Sequence, residues 1–256
     1  LSCGTGNAAQ PATVTVDGVD GTGPYEYSFD GGVNYTTTNE YQSFTGTTFD
    51  VYVKDANGCI YILTDGVNIP ALVVPTDLTF STTAEVTCVS DGTVEITGHT
   101  GGVGVLQYET IAPSPIIVPK QTTTTFANLT PGTYLFQVTD ANGCTYSESY
   151  IVKPVTNITV AGQLVSNVTC NATPAVLNGA VKFTVANFAG TYSYALLQGS
   201  GTITQSGSVL SMSGLGVGTY EIEVTDNVTG CKATATVVVD QPLNPLTLTE
   251  VSNVPA

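Results

Sequence analysis

Cysteine is the residue type whose spacing in this chain bears most directly on chemistry. Six are present, in two interleaved series. Cys3, Cys88 and Cys170 each precede a partner in the second series, Cys59, Cys144 and Cys231, at a nearly constant interval, so each unit of a repeat holds one early and one late thiol. Regularly placed thiols persist as disulfides in oxidising compartments, and a β-rich chain with one Met and no Trp fits a location outside the cytoplasm. No Cys and His spacing matches a zinc site.

Other chemistries find little to work with. A Ser/His/Asp or Cys/His nucleophile would require His99, the only histidine, which sits in the turn-like run Gly98-His99-Thr100-Gly101-Gly102. A glycosidase needs two carboxylates facing each other across a cleft, whereas the acids here fall singly in turns or at outward strand positions. The chain is therefore expected not to be an enzyme and to carry no cofactor. Asp17-Gly18-Val19-Asp20-Gly21 clusters oxygen ligands of the kind calcium takes, but the other units do not repeat it, and Asp with Gly is ordinary turn chemistry. The expectation is a turn and no metal. Tyr35, Tyr41 and Tyr52 are the residues that could form a stacking surface for sugars.

Charge narrows the partners further. Twenty acidic residues oppose five basic ones, a net charge of -15, so phosphate backbones and anionic bilayers are repelled. Nucleic acid is excluded. No apolar run approaches the roughly 20 residues that span a membrane, so membrane insertion is not expected. Only 10% of residues are charged, which leaves a mostly neutral polar surface.

The elements that position the cysteines repeat with them. Asp55-Ala56-Asn57-Gly58-Cys59 recurs as Asp140-Ala141-Asn142-Gly143-Cys144, and a longer version, Asp226-Asn227-Val228-Thr229-Gly230-Cys231, follows at almost the same interval. Before each turn runs a segment of period two, which places Phe49, Val51 and Val53, then Tyr134, Phe136 and Val138, then Tyr220, Ile222 and Val224 on one face as core. Earlier strands carry Val14 and Val16, Val94 and Ile96, or Val181 and Phe183, and then Tyr27, Tyr108 or Tyr194. About seven strands per unit, with no helical periodicity, predict tandem immunoglobulin-like antiparallel β-sandwiches in an extended all-β array. The boundaries read as 1–72, 73–155 and 156–243, with 244–256 as the first strand of a further unit. The first unit is expected to lack the strand before its early cysteine, and so to leave an exposed edge, unless a neighbour supplies it.

Gly23-Pro24-Tyr25-Glu26-Tyr27-Ser28 followed by Asp30-Gly31, Leu129-Thr130-Pro131-Gly132-Thr133-Tyr134, and Asp-Ala-Asn-Gly-Cys with Pro some ten residues on together resemble the SprB repeat of gliding-motility adhesins and other secreted proteins in the phylum Bacteroidota. Leu106 in place of the first Tyr, Ala112-Pro113-Ser114-Pro115 and the longer third turn depart from it. The resemblance implies export through the type IX system and display at the bacterial cell surface. It also implies neighbouring repeats of the same chain as partners, with substratum or extracellular polysaccharide contacted through other parts of the protein. The functional expectation is a stalk segment that holds an adhesive tip away from the cell, each sandwich advancing it by about 35 to 40 Å. The alternative is a direct polysaccharide-binding module.

The pairing of the cysteines is open between two patterns. Five strands between early and late cysteine would put them at opposite poles, some 25 to 30 Å apart by strand length, beyond the roughly 7 Å between Cα atoms that a disulfide tolerates. That favours a staggered pattern, Cys3 with Cys144 and Cys88 with Cys231, which leaves Cys59 and Cys170 for neighbours. One strand fewer restores pairing within each unit: Cys3 with Cys59, Cys88 with Cys144 and Cys170 with Cys231.

Overall fold

The computed structural model describes residues 1–113, 118–169, 177–241 and 249. The chain is all-β apart from a short 3-10 turn at Thr5–Asn7, and it forms two compact units. The first holds residues 1–83, 94–126 and 132–152; the second holds 84–93, 127–131 and 153 onward. Among the described residues no helix is long and apolar enough to cross a membrane. The segment 244–256 lies outside the described residues except at 249, as do Cys170, Ser114 and Pro115.

The first unit opens with a small hairpin, β1 (Ser2–Cys3) and β2 (Ala9–Gln10), followed by β3 (Ala12–Thr15), β4 (Glu26–Ser28), β5 (Glu40–Ser43), β6 (Thr47–Lys54) and β7 (Ile60–Ile69). Strands β3 and β5 pair as one sheet, and β4-β6-β7 form another. The next repeat supplies β8 (Asp77–Ala84), β9 (Gly92–Thr100), β10 (Gln107–Ala112), β11 (Thr125–Leu129), β12 (Gly132–Thr139) and β13 (Thr145–Val152), in sheets ordered β11-β9-β8 and β10-β12-β13. On β12 the period-two pattern does what elementary pleating requires: Tyr134, Phe136 and Val138 are buried, and the intervening Leu135 and Gln137 face outward. Phe136 sits among the rings of Phe80, Phe126 and Tyr134 at 4.9 to 6.2 Å between centroids.

The second unit holds β14 (Thr159–Ser166), β15 (Gly179–Ala186), β16 (Tyr192–Gln198), β17 (Thr204–Ser206), β18 (Val209–Leu215), β19 (Gly218–Asp226) and β20 (Lys232–Val239). Their sheets run β14-β15-β18-β17 and β16-β19-β20. Reading the seven strands as A to G gives A-B-E-D over C-F-G, the constant-type immunoglobulin order. Phe183, Leu210, Ile222, Val224 and Val239 close the core between the sheets. Among the described residues the second repeat has the same order without D, and the first has only B-E over C-F-G. Seven strands are therefore described in one repeat of three.

Two sequence expectations change in detail. Val51 is buried, but Phe49 and Val53 are only half-buried, because among the described residues no A strand closes the first repeat. His99 is not in a turn: it is the penultimate residue of β9, exposed, with Nδ1 3.1 Å from the Gly101 carbonyl oxygen. The turn begins after it, at Gly101 and Gly102, which both adopt positive φ.

Candidate functional site: the stapled turns

Each late cysteine ends a turn organised by one aspartate. In the second repeat Asp140 Oδ1 accepts hydrogen bonds from the main-chain N–H groups of Asn142 (2.9 Å) and Cys144 (2.8 Å), while Oδ2 accepts from Val103 N–H at 3.1 Å. Asp55 repeats this with Asn57, Cys59 and Thr22, and Asp226 with Val228, Thr229 and Ala189. The main chain closes the same loop in all three: the aspartate N–H donates to the cysteine carbonyl at 2.9 to 3.0 Å. Gly58, Gly143 and Gly230 hold φ of 83, 77 and 69°, the left-handed region that explains glycine before each cysteine. The N–H donors, first those of Cys59 and Thr22, hold the Asp55 carboxyl below the usual carboxylate range. The Ala189 N–H does so first for Asp226.

Against these turns the early-cysteine segments dock. In the first unit Cys3 is bonded to Cys144, with Cα atoms 4.9 Å apart, and Cys3 N–H donates to the Asn142 carbonyl at 2.8 Å. In the second unit Cys88 is bonded to Cys231, again 4.9 Å between Cα atoms, and Cys88 N–H donates to the Thr229 carbonyl at 2.9 Å. The acceptor stands two residues before the late cysteine in both. Asn7 strengthens the first junction: its side-chain amide donates to the Thr145 carbonyl (2.7 Å) and accepts from the Thr145 N–H (2.8 Å), a rung of ladder made by a side chain. Sequence inspection does not single out Asn7, since the corresponding position after Cys88 is Gly92 and no periodic signal marks it.

The structure thus joins the cysteines in the staggered pattern. The within-repeat alternatives, Cys3 with Cys59 and Cys88 with Cys144, are not formed, and Cys231 has no bond left for Cys170. The reason is visible in the first repeat. Between Cys3 and Cys59 the chain makes five passes: β3, β4, the stretch at Thr36 that bridges to Tyr27, β5 and β6. An odd number of antiparallel passes leaves its two ends at opposite poles. Cys59 is a free, exposed thiol, and Cys170 lies outside the described residues.

The remaining candidates separate. Asp17 Oδ1 accepts from Asn39 Nδ2 at 3.1 Å, and the Asp20 carbonyl accepts from the Tyr25 hydroxyl at 2.6 Å, both within an irregular segment between β3 and β4 that bends at Asp20 and Gly21. Among the described residues no group of three or more His, Cys, Asp and Glu side chains is placed to hold a metal ion. Tyr41 leaves the expected tyrosine surface, because it packs inward on Phe29 and Phe49 at 5.4 and 4.8 Å. Tyr35 and Tyr52 do come together on the outer face of the β4-β6-β7 sheet, flanking Gly32, with the Lys54 ammonium 4.6 Å from the Tyr35 ring centre.

No family model matches the chain, and no curated protein matches it. Several solved structures resemble it. The full ectodomain (Ig1-Ig3) of mouse nectin-like molecule 4 aligns at 12% identity over 93% of this chain and 96% of that one, with a TM-score of 0.36. Immunoglobulin domains 1-5 of Sidekick-1 align at 12% identity over 91% of this chain and 57% of that one, TM-score 0.32. Domains 4 and 5 of the S-layer protein SbsC align at 14% over 88% and 98%, TM-score 0.29. At these scores the immunoglobulin-like assignment rests on the strand order within the repeats.

Proposed function

We propose that this chain is a structural segment of an exported, non-enzymatic cell-surface adhesin, a stalk whose repeats carry an adhesive part of the protein away from the cell. The observation that carries the reading is the recurrence of one junction: a disulfide and the same main-chain hydrogen bond each time fasten an early-cysteine segment to the late-cysteine turn of the following repeat. A lone binding domain has no need of a repeated fastening. A load-bearing array does. The SprB-like motifs support placement in a gliding-type adhesin delivered by the type IX route, with adjacent repeats as immediate partners. Small-angle scattering tests the reading: three sandwiches end to end give a maximum dimension of about 110 Å, and a compact globular profile overturns it.

A second reading, direct polysaccharide binding, draws on the pairing of Tyr35 with Tyr52 beside Lys54. It predicts polysaccharide pull-down that Tyr52→Ala abolishes. The pair occurs in one repeat only, which favours the stalk.

A further inference from the structure

We infer that β16 is a self-pairing edge: it joins β16 of a second copy of this chain, antiparallel, about a twofold axis at Ala195, and so links two copies through their third repeats. Tyr27, Tyr108 and Tyr194 are counterparts, standing opposite Val53, Val138 and Val224 of the neighbouring strand. In the first two repeats the other edge of the tyrosine's strand is closed by the chain itself. Tyr27 N–H donates to the Thr36 carbonyl at 2.7 Å, and the Tyr27 carbonyl accepts from Thr36 N–H at 2.9 Å. Tyr108 exchanges the same two bonds with Gln121, at 2.7 and 2.9 Å. In the third repeat the segment after the strand crosses to the other sheet instead, where Thr204–Ser206 pairs with β18 as β17. Among the described residues no strand pairs with the outer edge of β16, and Tyr194 has no counterpart of Thr36 or Gln121.

An open edge is a template for another strand, and the charge pattern says whose. Each copy carries a net charge of -15, so two copies repel and approach closely only where neither presents a charge. Residues 183–220 contain no charged side chain, whereas β4 and β10 hold Glu26 and Glu109. Tyr192-Ser193-Tyr194-Ala195-Leu196-Leu197-Gln198 also lacks the Lys or Pro that guards an edge against pairing. Tyr194 and Leu196 stand opposite the buried Val224 and Ile222, on the core side of the sheet, yet Tyr194 is 36% exposed because nothing lies beyond it. Antiparallel pairing about Ala195 sets Tyr194 opposite the second copy's Leu196, Leu196 opposite its Tyr194, and Ala195 opposite itself. Apolar cross-strand pairs then cover the side that one copy leaves open. Because the edge meets its own copy, the contact closes at a dimer.

Sedimentation velocity of the full chain over a wide concentration range decides it, with free thiols alkylated so that the exposed Cys59 cannot link copies. The expected result is a monomer–dimer equilibrium that stops at the dimer. A195K/L197K changes two exposed positions; checked for retained circular dichroism, it is expected to sediment as a monomer where the unaltered chain is dimeric. Ala195→Lys and Ala195→Glu alone should each weaken dimerisation by about fivefold, since they set like charges opposite each other, and an equimolar mixture of the two should recover it. A chain that stays monomeric at every concentration, association that A195K/L197K leaves unchanged, or growth past the dimer overturns the proposal. Scattering from the monomeric variant reads the stalk proposal separately, so the two fail independently.

Discussion

At the scale of single residues the turn aspartates carry the most structure per side chain. Asp140→Ala leaves the N–H groups of Asn142, Cys144 and Val103 without their acceptor. Orphaned donors of this kind destabilise by about 1–3 kcal/mol, which chemical denaturation of the variant will read as a lower midpoint. Acid titration is a second test. Asp30 accepts from the Asn34 N–H, the Ser28 hydroxyl, the Asn34 amide and the Val33 N–H, which lower its pKa from an ordinary 3.8 to about 2. A folded-state pKa below the unfolded value stabilises at higher pH and loses that contribution as pH falls through the folded value. Stability is therefore expected to drop between pH 3.8 and about 2, and Asp30→Ala should flatten that limb of a thermal-melt series. The Asp-Ala-Asn-Gly-Cys spelling announced a turn at sequence level. The reach of Oδ2 to Thr22, Val103 and Ala189 was not legible, because those partners share no side-chain chemistry and donate only main-chain N–H.

At the scale of elements, alternation decided which faces are buried, and the cost of breaking it is unequal along a strand. Phe136→Ala on β12 removes a fully buried ring packed on Phe80 and Phe126; it is expected to cost about 3–5 kcal/mol. Thr133→Ala, at an exposed position of the same strand, should stay within about 0.5 kcal/mol of wild type. Equilibrium denaturation of the two variants side by side checks the contrast. The same alternation named Phe49 and Val53 as core, and there it overstated burial. Period two says which side of a sheet a residue faces. It does not say whether a neighbouring strand is present to cover that side.

At the scale of the molecule, the two disulfides alter the covalent path that force would follow. Along the backbone, most of the chain separates Cys3 from Cys231, but through the bonds Cys3–Cys144 and Cys88–Cys231 the shortest path runs only along the segment from Cys88 to Cys144. At about 3.4 Å per residue, pulling between these points should release roughly 190 Å of contour length with bonds intact and roughly 780 Å after reduction. Single-molecule extension with and without a reductant measures the difference, and equal lengths would contradict the connectivity. Removing one bond with C88A/C231A should also lower unfolding stability by about 4–5 kcal/mol in the chain-entropy model, read by denaturant titration.

Composition, periodicity and the recurring turn were enough for an all-β sandwich array, since strand pleat and glycine conformations are local properties that residue order dictates. The same turns and alternation placed Tyr134, Phe136, Val138 and their counterparts in the third repeat before any contact was known. Which cysteine meets which was not local. It depended on the number of antiparallel passes between them, and one such pass, the bridge at Thr36, is too short to leave a strand signal in the sequence. The gathering of Tyr35 with Tyr52 and the departure of Tyr41 to pack on Phe29 and Phe49 were likewise decided in three dimensions, because each depends on which side chains the fold brings alongside, and residue order alone does not carry that.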